Sequence, residues 1–230
     1  MATRPFCKCL EPQYDEAPKW SELGLHDEEQ DTTCDAWKRL LDLVEQAAAE
    51  GSETFAPGRV LSAEDQVHLV TLPPTIAKLK RVKKLVLYGS SLVRIPPEIG
   101  QMKALEEFEP YTSYRLHWFP YEITHCRKLA RSCVSTRALY GNYKHRPPFP
   151  RLPSKTGAAI PPNCSVCGGP FTGFAPYAYW VSLPVATDVL PLLVFACSDR
   201  CVLDLPRSPK GYFAGPHQGG LELVQPSSEY

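Results

Sequence analysis

Four cysteines near the C-terminal end of the chain form two close pairs. Two residues separate Cys164 from Cys167, and three separate Cys197 from Cys201. The pairs are 29 residues apart. Each thiolate pair can chelate one side of a metal ion, and two pairs supply the four ligands of a tetrahedral site. The spacing therefore predicts a metal centre, with Zn²⁺ as the expected cofactor.

Such a centre is expected to be structural. Four thiolates fill the tetrahedron and leave no position for an activated water. The chain contains no G-x-S-x-G, Walker or H-E-x-x-H motif, so we expect a protein without enzymatic activity. Two alternatives remain open: four cysteines that bind no metal, and a thiol redox or metal-sensing protein that works through Cys197 and Cys201.

The segments around the cysteines predict how they are held. Residues 178–183 and 190–196 have the apolar character of two strands, and Cys197 to Cys201 would begin a helix whose N-terminus favours thiolate. A cysteine turn, a hairpin and a cysteine-bearing helix start resemble a treble-clef or ribbon-like zinc finger. The resemblance covers residues 164–206 and implies a small module that would lose its fold without metal while the preceding segments keep theirs.

A second pattern precedes this module. Segments 72–79, 95–102 and 119–126 repeat an apolar residue, a proline and an isoleucine in register, at spacings of 23 and then 24 residues. The first copy continues as Val82-x-x-Leu85-x-Leu87-x-x-Ser90-x-Leu92. Over residues 60–145 the sequence therefore resembles the leucine-rich repeat.

The resemblance implies a fold of the α/β class: a short solenoid of about three repeats with parallel strands, of the bacterial type, capped by N-terminal helices. Ser90, Ser113 and Arg137 stand where the family usually has asparagine, and Pro110 and Ser132 replace core leucines. Since Pro110 cannot donate a ladder hydrogen bond, we expect an irregular solenoid.

Two helices are predicted to cover the first repeat. Apolar residues recur at helical spacing through residues 35–50, and Gly51 supplies a left-handed stop. Ser62 and Asp65 form a capping box that begins a second helix over residues 62–70.

These patterns predict five segments. They are an acidic, loosely ordered arm at 1–33, the helical cap and repeats at 34–143, a proline-rich linker at 144–163, the four-cysteine module at 164–206 and a loose tail at 207–230. Cys7, Cys9 and Cys34 are expected to be free thiols.

The residues that alternate with the core leucines should point out of the concave face of the strands and bind a protein partner. They include Lys84, Tyr88, Glu107, Glu109, Tyr111 and Arg131. Tyr88 and Tyr111 would be the aromatic anchors. The alternative is that the charges only support strand pairing.

Charge distribution suggests a further candidate partner. Residues 111–155 carry nine basic and one acidic side chain among several aromatic residues, a composition that can bind nucleic acid. Residues 1–57 carry 5 basic and 13 acidic side chains, so the basic segment can also dock on them.

Composition indicates a cytoplasmic protein that does not bind membranes. No apolar run approaches the roughly 18 residues of a membrane span, and residues 1–10 lack the apolar core of a signal peptide. Nine cysteines, an odd number, argue against a complete disulfide framework.

Overall fold

The structure is a computed structural model that describes residues 25–26, 28–152, 160–171 and 175–227. Most of the predicted arm, including Cys7 and Cys9, lies outside the described residues.

The described chain is a mixed α/β structure with few helices. The α-helices are α1 (Asp35–Glu50), α2 (Ala63–Val67) and α3 (Asp199–Leu203). The strands are β1 (Thr54–Phe55), β2 (Lys84–Val86), β3 (Glu107–Glu109), β4 (Phe119–Pro120), β5 (Arg131–Ser132), β6 (Tyr177–Val185) and β7 (Asp188–Ala196). Short 3₁₀ helices span Pro57–Arg59, Pro74–Lys78, Pro97–Gln101, Tyr121–His125 and Thr136–Ala138.

Both N-terminal helices begin where the sequence predicts. Helix α1 ends at Gly51, whose left-handed backbone (φ 64°) lets its N–H reach the carbonyls of the last turn. Ser62 and Asp65 form the capping box of α2. Helix α2 is shorter than the predicted 62–70, because the chain leaves it at His68 to bury Leu69 in the core.

The repeat register is confirmed by the sheet. Strands β1, β2, β3 and β5 form a four-stranded sheet in that order, with every neighbouring pair parallel. Lys84 pairs with Glu107, and Glu107 with Arg131, as the spacings of 23 and 24 residues predict. Strand β1 was not predicted from the sequence. Its two residues, Thr54 and Phe55, are too few to show the alternation of apolar and polar side chains that marks a strand.

A short 3₁₀ helix follows the proline of each repeat. Proline fixes φ and lacks an N–H, so it begins such a turn at little cost. The repeated isoleucines of these helices are Ile76, Ile99 and Ile123, and all three have no exposed surface. Cys126, directly after the 3₁₀ helix Tyr121–His125, is also buried, and its thiol donates to the Ile99 carbonyl of the preceding repeat.

Serine hydroxyls connect successive repeats. Ser90 and Ser113 stand where asparagine was expected, but in the third repeat the bridging residue is Ser135 and not Arg137, which occupies the asparagine position. Ser113 donates its hydroxyl to the Leu87 carbonyl at 2.7 Å and accepts from the Ser90 N–H at 3.0 Å. One repeat later, Ser135 accepts from the Thr112 N–H at 2.7 Å. A hydroxyl both donates and accepts, so serine can bridge neighbouring backbones here.

Pro110 and Ser132, which replace core leucines, do not interrupt the stack of repeats. Strand β3 ends at Glu109, and ladder bonds continue past Pro110 because Glu109 and Tyr111 supply carbonyl acceptors to the preceding repeat. Ser132 instead bonds the turn between β6 and β7, where its hydroxyl donates to the Asp188 carboxylate at 2.5 Å and its N–H to Thr187 at 3.1 Å.

The C-terminal hairpin continues the core of the repeats. Strands β6 and β7 pair antiparallel, and β7 pairs parallel with β4 of the third repeat. Val181, Leu192 and Val194 belong to the same buried cluster as Leu85 and Phe108. The domain division itself stays a prediction, but the packing is continuous across it.

Described residues of the proline-rich segment and of the tail also pack against the hairpin. Phe149 and Leu152 are buried beside Trp180, whose indole N–H donates to the Pro150 carbonyl at 3.0 Å. His217 exchanges two backbone hydrogen bonds with Trp180 and is buried. Within the predicted tail, His217 is therefore held against the edge of β6, whereas Leu221 and Val224 are exposed, and the looseness of the tail as a whole stays a prediction.

The longest described helix, α1, has 16 residues, and no helix of the described chain combines the length and apolar character needed to cross a membrane.

Close stacking of the repeats predicts that Gly100 cannot be enlarged. A Cβ atom there would lie 2.6 Å from the Glu122 carbonyl oxygen of the next repeat. Gly100→Ala should therefore lower the free energy of unfolding by about 1–3 kcal/mol, measured by urea denaturation. Gly215→Ala is the matched control, because a Cβ there meets no atom within 4 Å. Equal midpoints for the two variants would contradict this packing.

Candidate metal centre

The first cysteine pair lies on a tight turn. The Cys164 N–H donates to the Gly169 carbonyl at 2.7 Å, and the Gly168 N–H donates to the Cys164 carbonyl at 2.9 Å. Gly168 adopts φ +73°, which favours glycine, and Asn163 and Pro170 close the turn with a bridge. This geometry points both thiols of the pair to the same side.

Ser165 fastens this turn to β7. Its N–H donates to the Phe195 carbonyl at 2.8 Å, and its hydroxyl oxygen accepts from the Phe195 N–H at 3.1 Å. Ser165 is buried, so these bonds are shielded from water. These bonds therefore hold the turn beside the end of β7, directly before the second cysteine pair.

The second pair lies at the junction of β7 and α3. Cys197 follows the last residue of β7, and Cys201 lies in the first turn of α3. Ser198 caps the helix, with its hydroxyl accepting from the Cys201 N–H at 3.3 Å. The cap directs the chain so that both cysteines face the turn of the first pair.

The structure brings the four predicted cysteines together. Their Sγ atoms all lie within 4.8 Å of one another. Cys197 Sγ is 3.6 Å from Cys167 Sγ and 3.5 Å from Cys201 Sγ. Tetrahedral Zn²⁺ with Zn–S bonds near 2.3 Å places its sulfurs about 3.8 Å apart, whereas a disulfide needs about 2.05 Å. The cluster therefore has the dimensions of a metal site.

The cluster is partly shielded from solvent. Cys164 and Cys201 are buried, Cys197 is half-buried, and Cys167 is exposed. Ala196 packs beneath them in a small apolar cluster. An ion bound here would be enclosed on the protein side and reachable from the Cys167 side.

The thiols titrate unequally. Burial opposes ionisation of Cys164, but backbone N–H groups around the turn outweigh it and lower its pKa to about 7. Hydrogen bonding to the Cys201 and Cys167 thiols raises the pKa of Cys197 to about 12. Neighbouring thiolates repel one another, and a divalent cation among them removes that penalty. The arrangement is thus suited to a metal cation.

The predicted partner residues lie together on the strand face. Lys84 Nζ contacts a carboxylate oxygen of Glu107 at 3.1 Å and of Glu109 at 2.6 Å. Arg131 pairs with Glu107 from the other side. These pairs match the alternative in which the charges support strand pairing, and they account for every charged member of the set.

The two tyrosines of that face remain exposed. Tyr88 is 61% and Tyr111 46% exposed, and their ring centroids are 6.1 Å apart. The structure thus places an aromatic pair on the surface, while its role in binding stays a prediction.

The basic segment 111–155 has both exposed and buried aromatic rings. Tyr111, Tyr114 and Tyr143 are 46%, 38% and 39% exposed. Trp118, Phe119, Tyr140 and Phe149 are buried in the core clusters. Arg115 pairs with Glu28 of the acidic N-terminal region, as the docking alternative predicted.

Three residues around the candidate site escaped the sequence analysis. They are Ser165, Ser198 and Glu122; Ser165 acts to lower the pKa of Glu122, but burial outweighs it and raises that pKa. Ser198 was detectable as a capping residue type directly before a helix start. The other two depend on contact between distant segments and leave no local pattern.

No protein-family model matches this chain, and no curated protein matches it.

The cluster predicts a specific loss of metal on substitution of Cys167. Cys167→Ser should lower metal retained after dialysis against a chelator by at least about tenfold, because a hydroxyl is a much poorer ligand than a thiolate. Metal content per chain, measured by mass spectrometry of the acid-digested protein, provides the readout. The control is Cys133→Ser, since Cys133 is also exposed but lies outside the cluster. Equal retention in both variants would exclude the cluster as the metal site.

Proposed function

We propose that this chain is a short leucine-rich-repeat protein without enzymatic activity that binds a protein partner through its strand face and carries a structural Zn²⁺ ion. The observation that carries the proposal is the exposed Tyr88–Tyr111 pair, whose members each lie two residues beyond the paired strands β2 and β3 of successive repeats. The two parts of the proposal, repeat face and zinc, rest on separate residues and are tested separately.

Strand order and period support the leucine-rich-repeat assignment. Each repeat supplies one short parallel strand and one 3₁₀ return helix, and residues 23 or 24 apart become lateral neighbours. The outward positions alternate with Leu85 and Phe108, which have no exposed surface. Such a stack presents a continuous row of side chains on its strand face, which is the surface that solenoids use for binding.

The composition of that face favours a protein partner. Large, exposed aromatic side chains contribute much of the energy of protein interfaces when they are buried by a partner. The surrounding charges are already paired: Lys84 with Glu107 and Glu109, and Arg131 with Glu107. A partner can therefore cover the tyrosines without leaving an isolated charge in the interface.

The donor set supports Zn²⁺ in a structural role. Four thiolates complete a tetrahedron, so the ion would have no open position for substrate. Zn²⁺ would be held by Cys164 and Cys167 of the turn, Cys197 after β7 and Cys201 on α3. The bound ion would stabilise the positions of the cysteine turn and of α3 against the hairpin.

Metal identity is tested on the purified chain. We expect one Zn²⁺ per chain by elemental analysis, and a Co²⁺-substituted protein with the intense visible absorption of tetrahedral thiolate coordination. Iron in the isolated protein would overturn the zinc assignment but keep the four-thiolate site, since iron also accepts this donor set. Absence of any stoichiometric metal after anaerobic purification would overturn both.

The partner face is tested by comparative affinity capture from extracts of the native cells. Proteins retained by the unmodified chain should be lost with the Tyr88→Ala, Tyr111→Ala double variant, and their measured affinity should fall by roughly 30-fold or more. Tyr177→Ala is the matched control, because Tyr177 is 48% exposed but lies on β6. Thermal unfolding verifies that all three proteins are equally stable.

Two results would contradict this proposal. If Tyr177→Ala abolishes capture as fully as the double variant, the tyrosine pair has no special role. If the captured species is nucleic acid, released by salt and by replacement of Arg127 and Lys128, the basic segment is the functional surface instead.

A further inference from the structure

The four thiols of the candidate metal centre differ in their access to solvent. Cys167 is exposed and Cys197 is half-buried, whereas Cys164 and Cys201 are buried. A solute that reacts with a thiolate must first reach its sulfur, so exposure decides which thiolate of a cluster reacts first. Cys167 is therefore the member of this cluster that is open to reagents in solution.

A second thiol lies beside Cys167. Cys197 Sγ is 3.6 Å from Cys167 Sγ, and the two cysteines belong to different segments, the tight turn and the end of β7. A disulfide joins its sulfurs at about 2.05 Å, so these two need to approach each other by only about 1.5 Å. A disulfide between them would connect the turn directly to the hairpin.

The backbone holds the two segments side by side. The Ser165 N–H donates to the Phe195 carbonyl at 2.8 Å, and the Ser165 hydroxyl oxygen accepts from the Phe195 N–H at 3.1 Å. Cys167 and Cys197 each follow this contact by two residues. The two sulfurs are therefore positioned next to each other before a reagent arrives, which lowers the entropic cost of joining them.

We propose, on the basis of the structural zinc site proposed above, that Cys167 is a site of oxidation by hydrogen peroxide. Cys197 then converts the oxidised Cys167 into a disulfide, and the ion is released. The turn and α3 lose the ligands that stabilise them against the hairpin, so the site couples peroxide to the stability of this end of the fold.

The reaction has two steps. In the first, the Cys167 thiolate attacks one oxygen of the peroxide; an S–O bond forms, the O–O bond breaks, and the departing hydroxide takes a proton from solvent. In the second, the Cys197 thiolate attacks the Cys167 sulfur; an S–S bond forms, the S–O bond breaks, and a second hydroxide is protonated. The two thiolates together lose two electrons, and the peroxide gains them and becomes two water molecules. Cys164 and Cys201 alone remain as ligands, too few to complete a tetrahedron.

The other described thiols do not combine exposure with a place in the cluster. Cys126 is buried, and burial raises its pKa to about 11, so it is almost entirely protonated at neutral pH. Cys34 is half-buried and donates its thiol to the Asp31 carbonyl at 3.2 Å. Cys133 is exposed but lies outside the four-cysteine cluster. Oxidation of Cys133 therefore leaves the metal ligands intact, and Cys133→Ser is a suitable control.

The test measures zinc release and disulfide formation in the full chain, purified without oxygen. Zinc per chain is determined first. A slight molar excess of hydrogen peroxide should then release this zinc to a chromophoric chelator, and peptide mass spectrometry should identify a Cys167–Cys197 disulfide. Dithiothreitol followed by Zn²⁺ should restore the bound metal, because a disulfide is reducible.

The outcomes separate this proposal from the proposed zinc site. A chain that holds no zinc before peroxide is added would refute the zinc site, and this proposal with it. A chain that holds zinc and keeps it in peroxide would overturn this proposal alone. Release accompanied by a different first disulfide, or by sulfinic acid at Cys167 without any disulfide, would do the same.

Two histidine variants distinguish the reactive thiol from the metal ligand. Cys167→His keeps four ligands, since three cysteines and one histidine also bind zinc, but it lacks the thiol that starts the reaction. Its zinc release in peroxide should be at least about tenfold slower than that of the unmodified chain. Cys201→His replaces a buried ligand and keeps Cys167 and Cys197, so it should release zinc about as fast as the unmodified chain and as Cys133→Ser. Equal rates in the two histidine variants would contradict the proposal. If either variant fails to bind zinc, the disulfide found in the unmodified chain decides.

Discussion

The structure depends on the burial of apolar side chains that no repeat can bury alone. Each repeat contributes a strand of two or three residues and a short 3₁₀ helix, and such pieces form too few contacts to offset the entropy of ordering them. Stacking removes Ile76, Ile99 and Ile123 completely from water, together with Leu85 and Phe108. The repeated spacing matters because it delivers these side chains to one common core.

A stack of repeats leaves two end faces to be covered, and the chain covers them differently. Helix α1 packs its buried face, with Trp37, Leu40 and Val44, at the N-terminal end. At the other end, β7 pairs with β4, and the hairpin turn bonds Ser132. The metal cluster is built on this same hairpin. Loss of a bound metal would therefore destabilise the core of the repeats as well. The sequence alone suggested that it would unfold only an independent module.

Features fixed by local spacing were predictable, and features that depend on distant contacts were not. The period places Lys84, Glu107 and Arg131 side by side, and the cysteine spacing brings four thiols together. Nothing near Phe149 or His217 in the sequence shows that both pack on the hairpin. Prolines predict an absence of regular structure between residues 144 and 163, but they do not predict exposure, because apolar side chains among them can still be buried.

Ser165 connects the metal cluster to strand β7. Its hydroxyl oxygen accepts from the Phe195 N–H at 3.1 Å, and its backbone lies directly after Cys164. Two backbone hydrogen bonds close the turn that carries it, one from Cys164 to Gly169 and one from Gly168 to Cys164. Coordination of both cysteines of the turn would add a constraint that these bonds alone do not give. A structural ion in this cluster would therefore also hold the turn in the position from which Ser165 bonds β7.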